Sequence, residues 1–155
     1  MKILIVGSGG REHAIAWALN KTATRPLDIY CAPGNAGMAE TATLVPIAAM
    51  DAHNLARFAL SEAIDLTFVG PEAPLAAGIV DHFQAKGLAI VGPTASAARL
   101  ESSKVLAKDF MARNGVPTAE YRVAQSPEQA IEFLRSGAFG SSDSPVVIKA
   151  DGLAA

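Results

Sequence analysis

A glycine-rich turn near the start of the chain carries the clearest chemical signal in the sequence. The aliphatic run ILIV at positions 3–6 ends at Gly7, two glycines follow at Gly9 and Gly10, and a helical pattern begins at Arg11. Glycines let backbone N–H groups approach a ligand, and the start of a helix adds unsatisfied donors and partial positive charge. The guanidinium group of Arg11 suits phosphate, because it can donate two parallel hydrogen bonds. We therefore expect this turn to hold a phosphorylated small molecule.

Three later loops contain residues of the same kind. They include Gly34-Asn35, Gly70-Pro71-Glu72 and Gly92-Pro93, and each follows an apolar run typical of a strand. If the strands are parallel, all four loops emerge at the carboxyl edge of one sheet, where open α/β folds bind ligands. Any one loop is equally well explained as a turn that needs glycine or proline, but the four together favour a binding site.

The first turn departs from the dinucleotide-binding pattern. That pattern places a third glycine at position 12, where helix and strand pack closely, and an acidic residue at the end of the second strand. Position 12 is Glu12, and the second apolar run ends CAP at 31–33 without a carboxylate. A nicotinamide- or flavin-dependent enzyme is therefore disfavoured.

Strands and helices alternate through residues 1–100 as βαβ units require. Apolar runs predict strands at 2–6, 27–31, 66–69 and 88–91, with a weaker strand at 44–47 that contains Pro46. Helical patterns lie between them, at 11–21, 51–62 and 74–87. This alternation predicts an α/β fold, an open parallel Rossmann-like sheet with helices on both faces.

The pattern changes near residue 100. Ser102 or Ser103 can cap a helix that ends at 114–115, and the chain continues as a strand near 120–123, a helix at 127–135 and a strand at 146–149. These last elements are too few to bury a core alone. We therefore expect three parts: a substrate-binding domain at 1–100, a connecting helix at 101–115, and the truncated start of a second domain at 116–155.

The composition argues against several kinds of partner. Half of the 155 residues are hydrophobic, 18% are charged, and the net charge is −2 without a basic stripe. These values predict a folded protein that binds neither nucleic acid nor a membrane surface. The single Cys31 allows no internal disulfide, and the first apolar run is too short for a membrane span and lacks a signal-peptide pattern. The expected location is the cytoplasm.

A series of motifs makes the whole chain resemble one enzyme family. The motifs are VGSGGREHA at 6–14, APGNAG at 32–37, VGPEAPL at 69–75, GPT at 92–94, ESSK at 101–104 and VIKADGLAA at 147–155. In these motifs the chain resembles the glycinamide ribonucleotide synthetases, which are also called phosphoribosylamine–glycine ligases. This family belongs to the ATP-grasp ligases. The resemblance implies a pre-ATP-grasp domain followed by the start of an ATP-grasp domain. It also implies a purine-biosynthesis enzyme that uses ATP and Mg²⁺ (or Mn²⁺) to join phosphoribosylamine and glycine through a glycyl phosphate, releasing ADP and phosphate.

The resemblance also implies roles for individual residues. The residues implied to bind phosphoribosylamine are Gly9, Gly10, Arg11, Glu12, Asn35 and Glu72, with the first three as phosphate donors. Glu12 is an acid beside an anion site, so capping the helix or orienting Arg11 suits it better than touching phosphate. Asn35 is also explained as a turn residue, and Glu72 as an acid at a helix start. Lys104 and Lys149 match two ATP-binding lysines, although a solvated lysine is the alternative for each.

In the family, the glycine-rich phosphate cover, the adenine hinge and the acidic metal ligands come later than residue 155. We therefore expect no catalytic residue and no metal ligand among these 155 residues, and we expect them to be inactive as a ligase by themselves. Two other functions stay open. One is a stand-alone module that binds a phosphorylated sugar, and the other is a fragment of a nicotinamide-dependent oxidoreductase.

Overall fold

A computed structural model of the chain describes residues 1–137, 139 and 145–153. The last two residues of the 147–155 motif therefore lie outside the described residues. The chain divides into two compact units, Met1–Arg99 and Leu100–Ala155, and each is described by itself.

The first unit is built on a five-stranded parallel sheet. Its strands are β1 (Lys2–Gly7), β2 (Asp28–Pro33), β3 (Thr43–Leu44), β4 (Leu66–Val69) and β5 (Ile90–Val91), in the order β3-β2-β1-β4-β5. The central β1 pairs with β2 from Lys2 opposite Asp28 to Gly7 opposite Pro33, and with β4 on its other side. The predicted open, parallel α/β sheet is confirmed.

Helices of the first unit cover both faces of its sheet. The helices of the described residues in both units are α1 (Gly10–Thr22), a 3₁₀ turn (Met38–Glu40), α2 (Ala52–Ser61), α3 (Glu72–Ala76), α4 (Ile79–Gln84), α5 (Ala95–Ser102), α6 (Lys104–Arg113) and α7 (Pro127–Arg135). Successive β1 side chains point to opposite faces, as in any strand. Leu4 and Val6 belong to a buried cluster with residues of α2 and α4, and Ile3 and Ile5 belong to a second cluster with Ala16 of α1.

Three predicted elements of the first unit differ clearly from the structure in extent. One is the strand predicted at 88–91, which is the two-residue β5. The helix predicted at 74–87 is two short helices, because Gly78 adopts a φ of 89° between them. The strand predicted at 44–47 is the two-residue β3, which ends before Pro46, a residue without an N–H group to donate.

The second unit contains α6 and α7, each with a serine at its N-cap. Ser103 accepts a hydrogen bond from the Leu106 N–H, and Ser126 accepts one from the Gln129 N–H. The prediction of strands at 120–123 and 146–149 is wrong, because the described residues of these segments form no strand. A strand needs the backbone of a neighbour for its hydrogen bonds, and an apolar run alone does not provide one. None of the helices that the structure describes has the length and hydrophobicity to cross a bilayer.

Candidate functional site

Three strand-end turns lie side by side at the carboxyl edge of the sheet in the first unit. The Gly34 N–H donates to the Gly7 carbonyl oxygen (3.1 Å), and the Gly70 N–H donates to the Val6 carbonyl oxygen (3.1 Å). These bonds continue the pairing of β1 with β2 and β4 beyond the strands themselves. The structure therefore brings together the turns that begin at Gly7, Gly34 and Gly70.

Glu12 caps the helix that follows the first turn. Its Oε2 accepts a hydrogen bond from the Gly9 N–H (2.6 Å), and only 4% of its surface is exposed. A glutamate three residues into a helix commonly accepts from the backbone before the helix in this way. The Gly9 N–H, one of the predicted phosphate donors, therefore donates to a side chain of its own turn.

The buried Glu12 side chain also occupies the space that three glycines leave open. A Cβ added to Gly7 would lie 2.7 Å from Glu12 Cδ, and one on Gly9 would lie 3.0 Å from Oε2. A Cβ on Gly70 would lie 1.8 Å from Glu12 Oε1, far inside van der Waals contact. A dinucleotide fold has a glycine at position 12 for close helix–strand packing. In this chain the residue at position 12 is the glutamate, and the glycines are the residues around it, at Gly7, Gly9 and Gly70.

Gly10 is the open position of the turn. It is exposed at the first position of α1, and an added Cβ would meet nothing within 4 Å. The N–H groups in the first turn of a helix have no partner within the helix, and the helix dipole favours an anion there. The start of α1 can therefore accept an anionic group from solvent.

Arg11 and Glu72 form an ion pair between two of the turns. Arg11 Nη1 donates to Glu72 Oε1 at 2.6 Å, and the two side chains are 72% and 38% exposed. This hydrogen bond, together with the backbone N–H of Glu72 itself, holds the pKa of the Glu72 carboxyl below its usual value. Glu72 is therefore ionised at neutral pH. The pair presents a cation suited to phosphate beside a carboxylate suited to hydroxyl or amine donors.

Asn35 fastens the second turn to the first. Its Nδ2 donates to the Ser8 carbonyl oxygen (2.9 Å), and its Oδ1 accepts from the Met38 N–H (3.2 Å) at the start of the 3₁₀ turn. Both halves of the amide are thus used within the protein. In the structure Asn35 links loops, beyond the role of a residue that merely tolerates a turn.

The two predicted ATP lysines belong to the second unit. Lys104 is the first residue of α6, Lys149 lies in the irregular segment 145–153, and both side chains are exposed. Asp151 joins these two segments. Its Oδ2 accepts from Ser103 Oγ (3.0 Å) and its Oδ1 accepts from the Val105 N–H (3.2 Å). The sequence motifs gave no signal for this contact, because 46 residues separate Asp151 from Val105.

The chain residues that the structure describes include no set of three His, Cys, Asp or Glu side chains that could hold a metal ion. A surface depression of about 430 Å³ lies beside α2, lined in part by Ile47, Asp51, Asn54 and Arg57. Its polar side chains bond to one another, Asn54 to Asp51 (2.6 Å) and Arg57 to Asn54 (3.1 Å). They are therefore explained by local structure, and the strand-end turns are the better candidate site.

Two family models match consecutive parts of the chain. The model described as "Phosphoribosylglycinamide synthetase, N domain" matches residues 1–101. The model described as "Phosphoribosylglycinamide synthetase, ATP-grasp (A) domain" matches residues 102–155.

Curated relatives match over the whole chain. The phosphoribosylamine–glycine ligases of Yersinia pestis and Escherichia coli K12 are 54% and 53% identical to it over alignments of 159 positions. Each alignment covers 100% of this chain and 35% of the relative. The chain thus spans about a third of the length of these relatives.

Solved structures agree with these matches. The phosphoribosylamine–glycine ligase of Thermotoga maritima has a TM-score of 0.72 and 33% identity, covering 99% of this chain and 34% of that one. The biotin carboxylase domain of the Hydrogenobacter thermophilus 2-oxoglutarate carboxylase has a TM-score of 0.65 and 19% identity, covering 87% and 32%, and shows a shared fold alone. The N-domain model matches well over half of the chain, and this chain therefore belongs to the phosphoribosylglycinamide synthetase family.

Proposed function

We propose that this chain provides the substrate-binding domain and the beginning of the ATP-grasp domain of a phosphoribosylamine–glycine ligase of purine biosynthesis. The observation that carries the proposal is the match of the two synthetase models to consecutive residues, 1–101 and 102–155. In the proposed reaction ATP phosphorylates the glycine carboxylate, and the amine of phosphoribosylamine then displaces phosphate to form an amide. The products are glycinamide ribonucleotide, ADP and phosphate.

The strand-end turns of the first unit are proposed to bind phosphoribosylamine. The phosphate lies at the start of α1, on the turn of Gly9, Gly10 and Arg11, where Gly10 has open space above it and Arg11 adds positive charge. Glu72 accepts hydrogen bonds from the ribose hydroxyls or the amine. Glu12 and Asn35 act on this site by holding its turns, through their hydrogen bonds to Gly9 and Ser8.

In the second unit, Lys104 and Lys149 are proposed to contact the ATP phosphates. Each is an exposed point cation on a flexible stem, which suits a polyphosphate. The described residues contain no group of three or more His, Cys, Asp or Glu side chains that could hold a metal ion, so they provide no dedicated metal cage of their own. We propose that these 155 residues bind substrate without completing the reaction.

The proposal is tested by joining residues 1–155 to the remaining two-thirds of the Escherichia coli K12 relative. The joined protein is purified, checked for folding by circular dichroism, and assayed with phosphoribosylamine, glycine and ATP. Formation of glycinamide ribonucleotide that requires all three substrates is expected. A folded protein that binds its substrates but forms no glycinamide ribonucleotide would refute the proposed function.

A further inference from the structure

Asp151 makes a contact that α6 does not need in order to begin. Ser103 already caps this helix through the Leu106 N–H (3.1 Å). In the same unit, α7 begins with a cap of the same kind, in which Ser126 accepts from the Gln129 N–H (3.2 Å). The Asp151 carboxylate adds two bonds from a segment far along the chain, to Ser103 Oγ and the Val105 N–H.

The position of this carboxylate is electrostatically favourable. The N-terminus of α6 carries partial positive charge, and an anionic acceptor close to it is stabilised. Several hydrogen bonds hold the pKa of the Asp151 carboxyl below its usual value, and the one from the Val105 N–H has the largest effect. The Asp151 carboxyl is therefore ionised at neutral pH and can accept both hydrogen bonds.

The contact joins the two segments that carry the predicted ATP lysines. Lys104 stands between Ser103 and Val105, the two residues that donate to Asp151, and Lys149 precedes Asp151 by two residues. Lysine side chains are long and flexible, so holding their backbones together lowers the ordering cost of binding one polyphosphate with both.

We propose that Asp151 is a positioning residue for nucleotide binding, which ties the segment of Lys149 to the start of α6 so that Lys104 and Lys149 act on the same ATP molecule. This inference rests on the proposed function, because it takes ATP as the ligand. The Asp151 carboxylate bonds to Ser103 and Val105, and we assign it no contact with the nucleotide.

The contact is tested first in this chain by hydrogen exchange. Asp151→Ala removes the acceptor, Asp151→Asn keeps one acceptor oxygen, and Glu128→Gln is the matched control, a first-turn carboxylate of α7. Exchange of the Val105 amide is expected to be about 2- to 30-fold faster in Asp151→Ala, as for loss of a helix cap. The Asn variant should lie between, and Glu128→Gln should leave Val105 unchanged.

The consequence for nucleotide binding is tested by calorimetric titration of ATP into the joined protein described above. Asp151→Ala is expected to weaken ATP binding by about 3- to 30-fold, since two lysine side chains must then be ordered separately. Asp151→Asn should restore part of the affinity. In the ligase assay the KM for ATP should rise more than kcat falls, with the KM for glycine unchanged.

The outcomes separate the two proposals. If Asp151→Ala speeds exchange of the Val105 amide but leaves ATP affinity unchanged, Asp151 acts as a helix cap only. If the exchange rate is also unchanged, the contact between Asp151 and α6 does not form in solution. Either result overturns the positioning role. An unsubstituted joined protein that binds ATP but makes no product overturns the proposed function alone. If the unsubstituted protein does not bind ATP, both proposals fail.

Discussion

The carboxylate of Glu12 lies directly against the backbone of Gly70, so that a Cβ on Gly70 would be 1.8 Å from Glu12 Oε1. Glu12 follows β1 and Gly70 follows the neighbouring β4, so the contact joins two strand-end turns below the surface. The adjacent residue Arg11 joins the same two turns at the surface, through its ion pair with Glu72. A buried contact and an exposed pair thus hold together the turns that form the proposed substrate site.

The first prediction concerns packing at Gly70. Gly70→Ala should destabilise the fold by about 1–3 kcal/mol, because the new methyl group overlaps Glu12 and the core must shift to accept it. Gly10→Ala is the matched control, since its methyl group meets nothing within 4 Å, and its effect should be smaller than about 1 kcal/mol and stabilising in sign. Urea denaturation of both variants measures the free energy of unfolding.

The same contact predicts coupling between the two positions. Glu12→Ala alone should also destabilise, because it leaves the Gly9 N–H without its acceptor. The double variant should be less destabilised than the sum of the single variants, since removing the Glu12 side chain makes room for the methyl group on Gly70. Strictly additive effects would show that the two residues do not pack against each other.

The second prediction concerns the pH dependence of the Arg11–Glu72 pair. The folded-state pKa of Glu72 lies below its ordinary value of 4.5, first because of the hydrogen bond from Arg11. The contribution of the pair is therefore complete above about pH 4.5 and is lost as the pH falls through the lower, folded-state pKa. In a ¹³C NMR titration of the Glu72 carboxyl, Arg11→Gln should raise this pKa towards its ordinary value.

Lys21→Gln serves as the control for that titration, because it removes a positive charge from the last turn of the same helix. It should leave the Glu72 titration unchanged. An identical Glu72 pKa in the unsubstituted chain and in Arg11→Gln would exclude the pair in solution.

Much of the first unit was predictable because its signals are local. The apolar runs at 2–6, 27–31 and 66–69 became β1, β2 and β4, since buried parallel strands are marked by continuous hydrophobic residues. The helix α5 was missed, although Thr94 gave a signal: its hydroxyl accepts from the Ala97 N–H (3.4 Å), as an N-cap residue does. The sequence also contained a signal for the break between α3 and α4, because glycine is the residue that most readily adopts a positive φ. In the structure Gly78 adopts a φ of 89° at this break.

The contacts within the site were less predictable because they depend on strand order. Arg11 and Glu72 are 61 residues apart, and they meet only because β4 pairs directly with β1. The sequence predicted that Glu12 replaces the glycine of a dinucleotide site. It gave no sign that Gly70, on another turn, receives the Glu12 side chain. The contact between Asp151 and the start of α6 is of the same long-range kind.

The third prediction concerns Cys31 on β2. The thiol is buried in the cluster with Ile3, Ile5 and Met38, and burial raises its pKa to about 11. Relative to the ordinary value of 9.0, the thiolate fraction at pH 8 is therefore about a hundredfold lower in the folded chain. A thiol reagent such as Ellman's should react slowly with the native chain and rapidly in denaturant. Equal rates in the two states would contradict this burial.

The fourth prediction concerns charge at the proposed phosphate site. Arg11→Gln should weaken binding of ribose 5-phosphate by about 1.5–3 kcal/mol, or roughly ten- to a hundredfold, as for loss of a charged hydrogen bond. Lys21→Gln, which removes the same charge from the far end of α1, should bind as the unsubstituted chain does. Isothermal titration calorimetry of the three proteins gives the comparison.

The central claim is that the strand-end turns of this fold bind a phosphorylated sugar and not a dinucleotide. Calorimetric titration of the unsubstituted chain with ribose 5-phosphate, and separately with NAD, tests it most directly. Saturable one-site binding of ribose 5-phosphate that depends on Arg11 is expected, with much weaker binding of NAD. Tight binding of NAD, or an affinity for ribose 5-phosphate that Arg11→Gln leaves unchanged, would contradict it.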